Sequence, residues 1–376
     1  MPHTRPGLTF NEQGVCSACE GAEEKNKEID WVARERELRG IFDKFRSKDK
    51  SKYDCIVPVS GGKDSIYQVH VVKNIFNMNP LCVTFRTDAR TPLGEQNIQA
   101  LREIGVDHID FTPNPCGFNR LRLKAFTEFG DCSLPDHLAI WGMIPNIAVK
   151  LKIPLVIWGE NPDMEYGGAK DLRRVAKLNR DWMKNQDILK GRSVEDWCDD
   201  TLKIHEISSL IYPSDDQLDK IDYLPIFLGY YLPWDCDKNV KIAKKHGFLV
   251  REKGPIMGLY DYADLDCMNI VIHHYFKWLK FGFNRISDNA SNEIRKGRLT
   301  RDAAIKLVKE RDGIKPPEEY IQHFCKTIGI TWQQFWEVAE KFRNKDIWQK
   351  DENGEWYIDG WIGGDNVPDR FPFESL

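Results

Sequence analysis

The segment VPVSGGKDSIYQ, Val57–Gln68, sets an apolar run directly against two glycines, a lysine, an aspartate and two serines. A strand closing at Val59, a turn through Ser60, Gly61, Gly62 and Lys63, and a helix opening near Asp64 or Ser65 would aim several backbone N–H groups at one point. A helix N-terminus would face the same point, which therefore attracts an anion. The glycines let the backbone approach closely, the serine hydroxyls donate, and Lys63 adds a charge that follows a phosphate. Asp64 would repel a bare phosphate, but it suits a magnesium ion bridging it to a nucleotide. The plainer alternative is a tight strand-to-helix turn in which Asp64 or Ser65 simply caps the helix. A lysine and two serines directly after a strand favour the phosphate site. The spacing excludes the GxxxxGK[ST] loop, so this is a different nucleotide loop.

Outward from this segment, short apolar runs at Cys55–Val59, Leu81–Phe85, His108–Phe111 and Pro154–Trp158 alternate with helix-length stretches at Ser65–Ile75, Leu93–Ile104 and Leu134–Leu151. That alternation predicts βαβ units around a parallel sheet, an α/β fold. Pro58 lacks a ladder donor and belongs at the end of its strand. Five segments follow. Residues 1–21 carry a CxxC pair, and 22–52 form a linker helix on which Leu38, Ile41, Phe42 and Phe45 share a face. Residues 53–168 form the nucleotide domain. Residues 169–347 form a mostly helical subdomain, including the charged stretch Lys170–Leu189, with room for one remaining strand near 223–231. Residues 348–376 form an ordered tail packed on the surface. Thr300 is placed to cap a helix running to Arg311, and Thr331 with Gln334 forms a capping box.

A chain of 376 residues with 41% hydrophobic and 30% charged residues can bury a large core, as one main domain plus an elaboration. Its formal net charge of -4 gives no global basic field for nucleic acid. It has no run of about 18 apolar residues and no leader-like start, so a cytoplasmic protein independent of membranes is expected. Ten cysteines at irregular spacing do not make a secreted disulfide scaffold, and only Cys16 and Cys19 are spaced to share a ligand.

Ser60-Gly61-Gly62-Lys63-Asp64-Ser65 resembles the SGGxDS loop of the N-type ATP pyrophosphatases, the PP-loop group with an adenine nucleotide alpha hydrolase-like fold. That group includes GMP synthetase, NAD synthetase, asparagine synthetase and tRNA thiolases. The resemblance implies a doubly wound parallel sheet, ATP and magnesium at the loop, adenylation of a substrate oxygen and release of pyrophosphate. Five further blocks are similar to the N-acetyl sugar amidotransferases of surface-polysaccharide and flagellin-sugar pathways: TRPGLTFNEQGVCSAC (Thr4–Cys19), FRTDARTPLGEQNIQAL (Phe85–Leu101), GVDHIDFTPNP (Gly105–Pro115), IPLVIWGENPDMEYGG (Ile153–Gly168) and KFGFNRISDNASNEIRKGRLTRDA (Lys280–Ala303). This likeness runs from Thr4 to about Gly313. It implies that an acetamido group on a nucleotide-activated sugar becomes an acetamidino group at the expense of ATP and ammonia.

An amide oxygen is a poor leaving group. Transfer of AMP to it would create an imidate-like centre that ammonia can attack. Lys63 is assigned to phosphate charge and Asp64 to magnesium. Ser60, Gly61, Gly62, Ser65, Phe85 and Gly159 complete the nucleotide set. Glu160 is the third catalytic candidate, because it lies just past a strand's C-terminal end, where open parallel sheets bind ligands; a structural role weighs equally for it. Cys132 and His137 of GDCSLPDH, with Glu165, Tyr166, Lys280, Arg285 and Arg295, are candidates for the sugar nucleotide. Against them stand a buried thiol for Cys132, an ordinary helix position for His137 and solvated faces for the basic residues. Cys16 and Cys19 suit zinc, which normally takes four protein ligands. Cys267 or His3 would extend the set, and two unliganded thiols in a turn are the alternative. No cysteine stands in a nucleophile-elbow context with acid and His partners. The resemblance accordingly implies ammonia from separate glutaminase and cyclase-like subunits, similar to those of imidazole glycerol phosphate synthase. Two rival functions remain: a tRNA thiolase, disfavoured by the acidic balance, and a non-catalytic ATP-binding regulatory subunit.

Overall fold

In a computed structural model, residues 2–167, 173, 175–178, 180–185, 189–362 and 365–368 are described. The apolar runs form β1 (Cys55–Pro58), β2 (Pro80–Phe85), β3 (Asp107–Phe111) and β4 (Leu155–Trp158), joined by β5 (Leu224–Phe227) in one sheet ordered β3-β2-β1-β4-β5. Every pairing is parallel, with Ile56 opposite Val156 where β1 meets β4. Pro58 is the last residue of β1, and the next residue, Val59, donates its N–H to Val83 O at 2.9 Å.

Both faces of the sheet are covered, which explains why its central strands read as unbroken apolar runs. On one face Cys55, Val57, Leu155 and Ile157 pack with Ile66 and Val69 of α3 (Lys63–Val69). On the other, Ile56, Leu81, Val83 and Val156 pack with Met143, Ile144 and Ala148 of α6 (Leu134–Leu151). The chain runs from β1 to β2 and β3 on one side and returns to β4 and β5 on the other. The β1/β4 boundary is therefore the topological switch point, where such sheets bind ligands beyond their strand C-termini.

Before the sheet, α1 (Ser17–Lys27) and α2 (Trp31–Phe45) fall in the first two segments. The face of α2 foreseen in the sequence buries Leu38 and Phe42 in the sheet's own core, so this helix is a layer of the domain as well as a connection. α3 continues into a π-helical turn, His70–Ile75, and α4 (Pro92–Arg102) is capped by Thr91. α5 (Pro115–Phe129), not anticipated from the sequence, starts at an Asn114 cap and ends at Gly130 with φ 57°.

β5 draws the sheet's last strand from beyond residue 168, within the 223–231 window of the helical segment. α7 (Pro162–Tyr166) follows β4, and α8 (Cys236–Lys245) packs along α3. The helical part then contains α9 (Asn269–Phe281), α10 (Arg285–Arg295), α11 (Arg301–Arg311), α12 (Glu318–Ile328) and α13 (Trp332–Lys341). Thr300 caps α11, and Thr331 with Gln334 makes the capping box of α13. These helices share a core of Tyr275, Phe276, Trp278, Phe324 and Phe335, which also takes in Phe126 from α5.

The tail is more than a surface strap. Trp348 is fully buried and donates to Leu279 O at 2.9 Å, and a three-stranded antiparallel sheet follows: β6 (Gln349–Lys350), β7 (Trp356–Ile362) and β8 (Asp365–Pro368). Residues 363, 364 and 369–376 of the expected tail, and 170–172, 174, 179 and 186–188 of the expected charged helical stretch, lie outside the described residues. No helix among the described residues is long and apolar enough to cross a membrane.

Candidate active site

The loop after β1 takes the form that its glycines allow. Gly61 has φ +82°, and a Cβ there would stand 3.0 Å from Ile98 Cγ1 and 3.1 Å from Ile98 N, so only glycine fits. Gly62 is the N-cap of α3, and no side chain caps the helix. The turn is as tight as the plainer alternative has it, but neither Asp64 nor Ser65 caps the helix. Ser65 Oγ instead accepts from Ser60 N–H at 2.9 Å, and Ser60 Oγ accepts from Gly62 N–H at 3.3 Å. The first intrahelical bond is Ile66 N–H to Gly62 O. The N–H groups of Lys63, Asp64 and Ser65 belong to the first turn, which has no carbonyl partners of its own. Asp64 turns away from any capping role: Oδ2 is ion-paired with Lys63, and Oδ1 accepts from Asn239 Nδ2 at 2.8 Å.

A pocket of about 130 Å³ opens on this loop, walled by Gly61, Gly62, Lys63 and Asp64 on one side and by Tyr262, Asp264, Asp266 and Arg285 on the other. The second wall is itself tightly held. Asp264 sits at φ 55°, a left-handed conformation unfavourable for a non-glycine residue, and its carbonyl accepts from Arg251 Nη2 at 2.7 Å. Its carboxylate takes Arg285 Nε at 3.2 Å, with His274 Nε2 3.6 Å away.

Charges converge here. Burial works against the Lys63 cation, but Asp64, with Cys236 and Glu160 behind it, holds its pKa above the ordinary lysine value. Glu160, just beyond β4, is pushed up to about 7 by burial and by the negative charge of Asp64, against the pull of Lys63. The charge of Glu160, then burial, lifts the Tyr166 phenol. Burial raises the Cys236 thiol to about 11, with Lys63 opposing the shift. Lys63, Asp64 and Glu160, the expected catalytic set, thus share one electrostatic cluster with Tyr166 and Arg285, two of the residues expected for the sugar nucleotide. Cys236, Asn239, Tyr262 and Asp264 join it without having been foreseen.

The remaining candidates lie elsewhere or are engaged in the fold. Gly159 stands at the switch point, where a Cβ would come within 3.2 Å of Gln68 Oε1, and its carbonyl accepts from Gly229 N–H at 2.9 Å. Phe85, at the end of β2, packs on Phe118 with centroids 5.4 Å apart and is not among the pocket walls. Cys132 is a buried thiol donating to Asn269 O at 3.4 Å, with its pKa raised by burial. His137 is half-buried on α6, where desolvation lowers its pKa. Of that motif's other polar residues, Asp136 is held by Arg122 through two 2.9 Å bonds, and Asp131 accepts from Ser133 N–H at 2.9 Å and Leu134 N–H at 3.1 Å. Lys280 donates to Phe129 O and Gly130 O at the end of α5. Glu165 pairs with Lys25, and Arg295 Nη2 reaches Glu165 O at 3.4 Å.

Cys16 and Cys19 bring their sulfurs to 3.5 Å at the start of α1. Cys267 is not beside them: it bridges to Arg90 and lies 3.2 Å from Thr87 Oγ1. His3 is exposed. Among the described residues no group of three or more His, Cys, Asp or Glu is arranged to hold a metal. The expected zinc set of Cys16, Cys19 and Cys267 is therefore not assembled, and no step is assigned to zinc.

Residues 258–360 match the model of a family described as LPS biosynthesis protein WbpG-like, C-terminal domain. The match points to lipopolysaccharide biosynthesis and fits a sugar-modifying role. The matched stretch contributes Tyr262, Asp264, Asp266 and Arg285, the wall that faces the loop. Separately, 36 residues are 50% identical to an uncharacterized protein, MJ1599, of Methanocaldococcus jannaschii, covering 10% of this chain and 13% of that protein.

Proposed function

We propose that the chain is a PP-loop enzyme that adenylates an acetamido group of a nucleotide-activated sugar and replaces its oxygen with ammonia, for surface-polysaccharide synthesis. The observation that carries this reading is the uncapped loop and first helical turn at the β1/β4 switch point, with Lys63, Asp64 and Arg285 on a single small pocket. At about 130 Å³ the pocket falls below the roughly 300 Å³ where ordinary small-molecule sites begin. That size suits the phosphate end of ATP, with the nucleoside outside it.

In this reading the amide oxygen attacks the α-phosphorus, the P–O bond to pyrophosphate breaks, and the amide N–H proton is lost to give an O-adenylated imidate. Ammonia adds to the imidate carbon, the C–O bond breaks, and AMP leaves an acetamidino group. The loop N–H groups and Lys63 bind the phosphates and stabilise the charge that develops on them. Arg285, oriented by Asp264, does the same from the opposite wall. A magnesium ion on Asp64, a fit for a cation that takes one or two carboxylates plus phosphates, would supply further charge neutralisation. Glu160, poised near neutrality, has the right pKa to accept the proton lost from the amide or from ammonia. Ammonia would come from partner subunits.

A thiolase needs an activated sulfur, and Cys236, the thiol that interacts electrostatically with Lys63 and Asp64, is shifted in the opposite direction. Incubation with ATP, magnesium, ammonium and diacetamido sugar nucleotides tests the reading. It requires AMP, pyrophosphate and a product in which NH has replaced O. Pyrophosphate release driven only by tRNA, or nucleotide binding with no turnover on any sugar, would refute it.

A further inference from the structure

Asp64 has two donors that differ in kind. Lys63 holds Oδ2 from the end of a long, flexible side chain. Asn239 Nδ2 donates to Oδ1 at 2.8 Å from α8, a helix anchored by the Asp235 cap, whose carboxylate accepts from Asp237 N–H and Lys238 N–H at 2.8 and 2.9 Å. Asn239 is fully buried. A carboxylate has no hydrogen to give, so the amide orientation is dictated: Nδ2 faces Asp64 and Oδ1 faces away. Oδ1 is then buried with no hydrogen-bond partner among the described residues. An unpaired buried amide oxygen weakens a fold, whereas a leucine of similar size would not. Stability of the α3/α8 packing therefore does not account for an asparagine here, and the bond to Asp64 does.

We propose that Asn239 is the positioning residue of the phosphate site: it fixes Asp64 Oδ1, so that Oδ2, the oxygen that Lys63 holds in this structure, is the one passed to magnesium when Lys63 turns to phosphate. This rests on the ATP reading of the loop and adds to it a residue from outside the motif. The role belongs to binding geometry, and Asn239 itself touches neither nucleotide nor sugar.

The test is binding of a fluorescent ATP analogue to the full chain, titrated with magnesium, for wild type, Asn239→Leu and Asn239→Ala, alongside melting of each ligand-free protein. Loss of one charge-assisted bond should raise the magnesium needed for half-saturation roughly tenfold in both variants. Binding without magnesium should be unchanged, and Asn239→Leu should melt no lower than wild type. The role is overturned if wild type binds with a magnesium requirement that the folded variants share, or if the shift merely follows lost melting temperature. A wild-type chain that binds no nucleotide at any magnesium concentration overturns the ATP reading together with this role.

Discussion

Replacing Glu160 by glutamine should stabilise the fold in alkaline solution and leave it unchanged in acid. Burial and the negative charge of Asp64 move this carboxyl from 4.5 to about 7. In the unfolded chain the proton leaves near the ordinary value, but in the folded chain it is retained until near neutrality. Between those two points the unfolded state binds fewer protons, so stability falls as pH rises. Glutamine mimics the protonated acid at every pH and escapes that loss. The gain should be near zero at about pH 4.5 and reach roughly 2–3 kcal/mol at about pH 8.5. Urea denaturation of both proteins at the two pH values measures it. An equal difference between wild type and Glu160→Gln at both values would refute the reasoning, because it would mean that the folded carboxyl titrates normally.

Gly61→Ala meets both a backbone penalty of about 1–2 kcal/mol and crowding by Ile98 of about 1–3 kcal/mol. It should lower the melting temperature and weaken ATP binding further than that loss alone explains; wild-type affinity in this variant would contradict the loop geometry. Because Cys267 stands apart from the CxxC pair, Cys267→Ser should leave the zinc-to-protein ratio of the purified chain equal to wild type, as read by elemental analysis. A drop in that ratio would show that the three thiols do share a metal.

β1, β2 and β4 were legible because strands buried on both faces must be apolar throughout, the half-buried edge strand β3 was marked by its place in the alternation with helices, and the glycine loop between β1 and α3 was legible because its residues are contiguous. β5 was only a window in the sequence, since LPIF is four residues long, contains Pro225 and is surrounded by helical pattern. α5 carried readable signals, Asn114 before it and Gly130 after it, but its length from Pro115 to Phe129 has a dispersed apolar face shared between two cores. The second half of the site was hidden for another reason. Asn239 lies 175 residues from Asp64 along the chain, and Asp264 reaches the loop only through a strained turn. Neither sits in a local pattern that marks a ligand. In GDCSLPDH the sequence drew attention to Cys132 and His137, types with familiar chemistry, while the fold buries the thiol, half-buries the imidazole and gives Asp136 to Arg122.

The most direct test of adenylation follows the acetamido oxygen. With that oxygen labelled as oxygen-18 in the sugar nucleotide, and with ATP, magnesium and ammonium supplied, mass spectrometry of the nucleotide products should find the label in AMP, because the C–O bond of the amide breaks after its oxygen has joined phosphorus. Label released into water, or found in inorganic phosphate with ADP as the nucleotide product, would contradict the account.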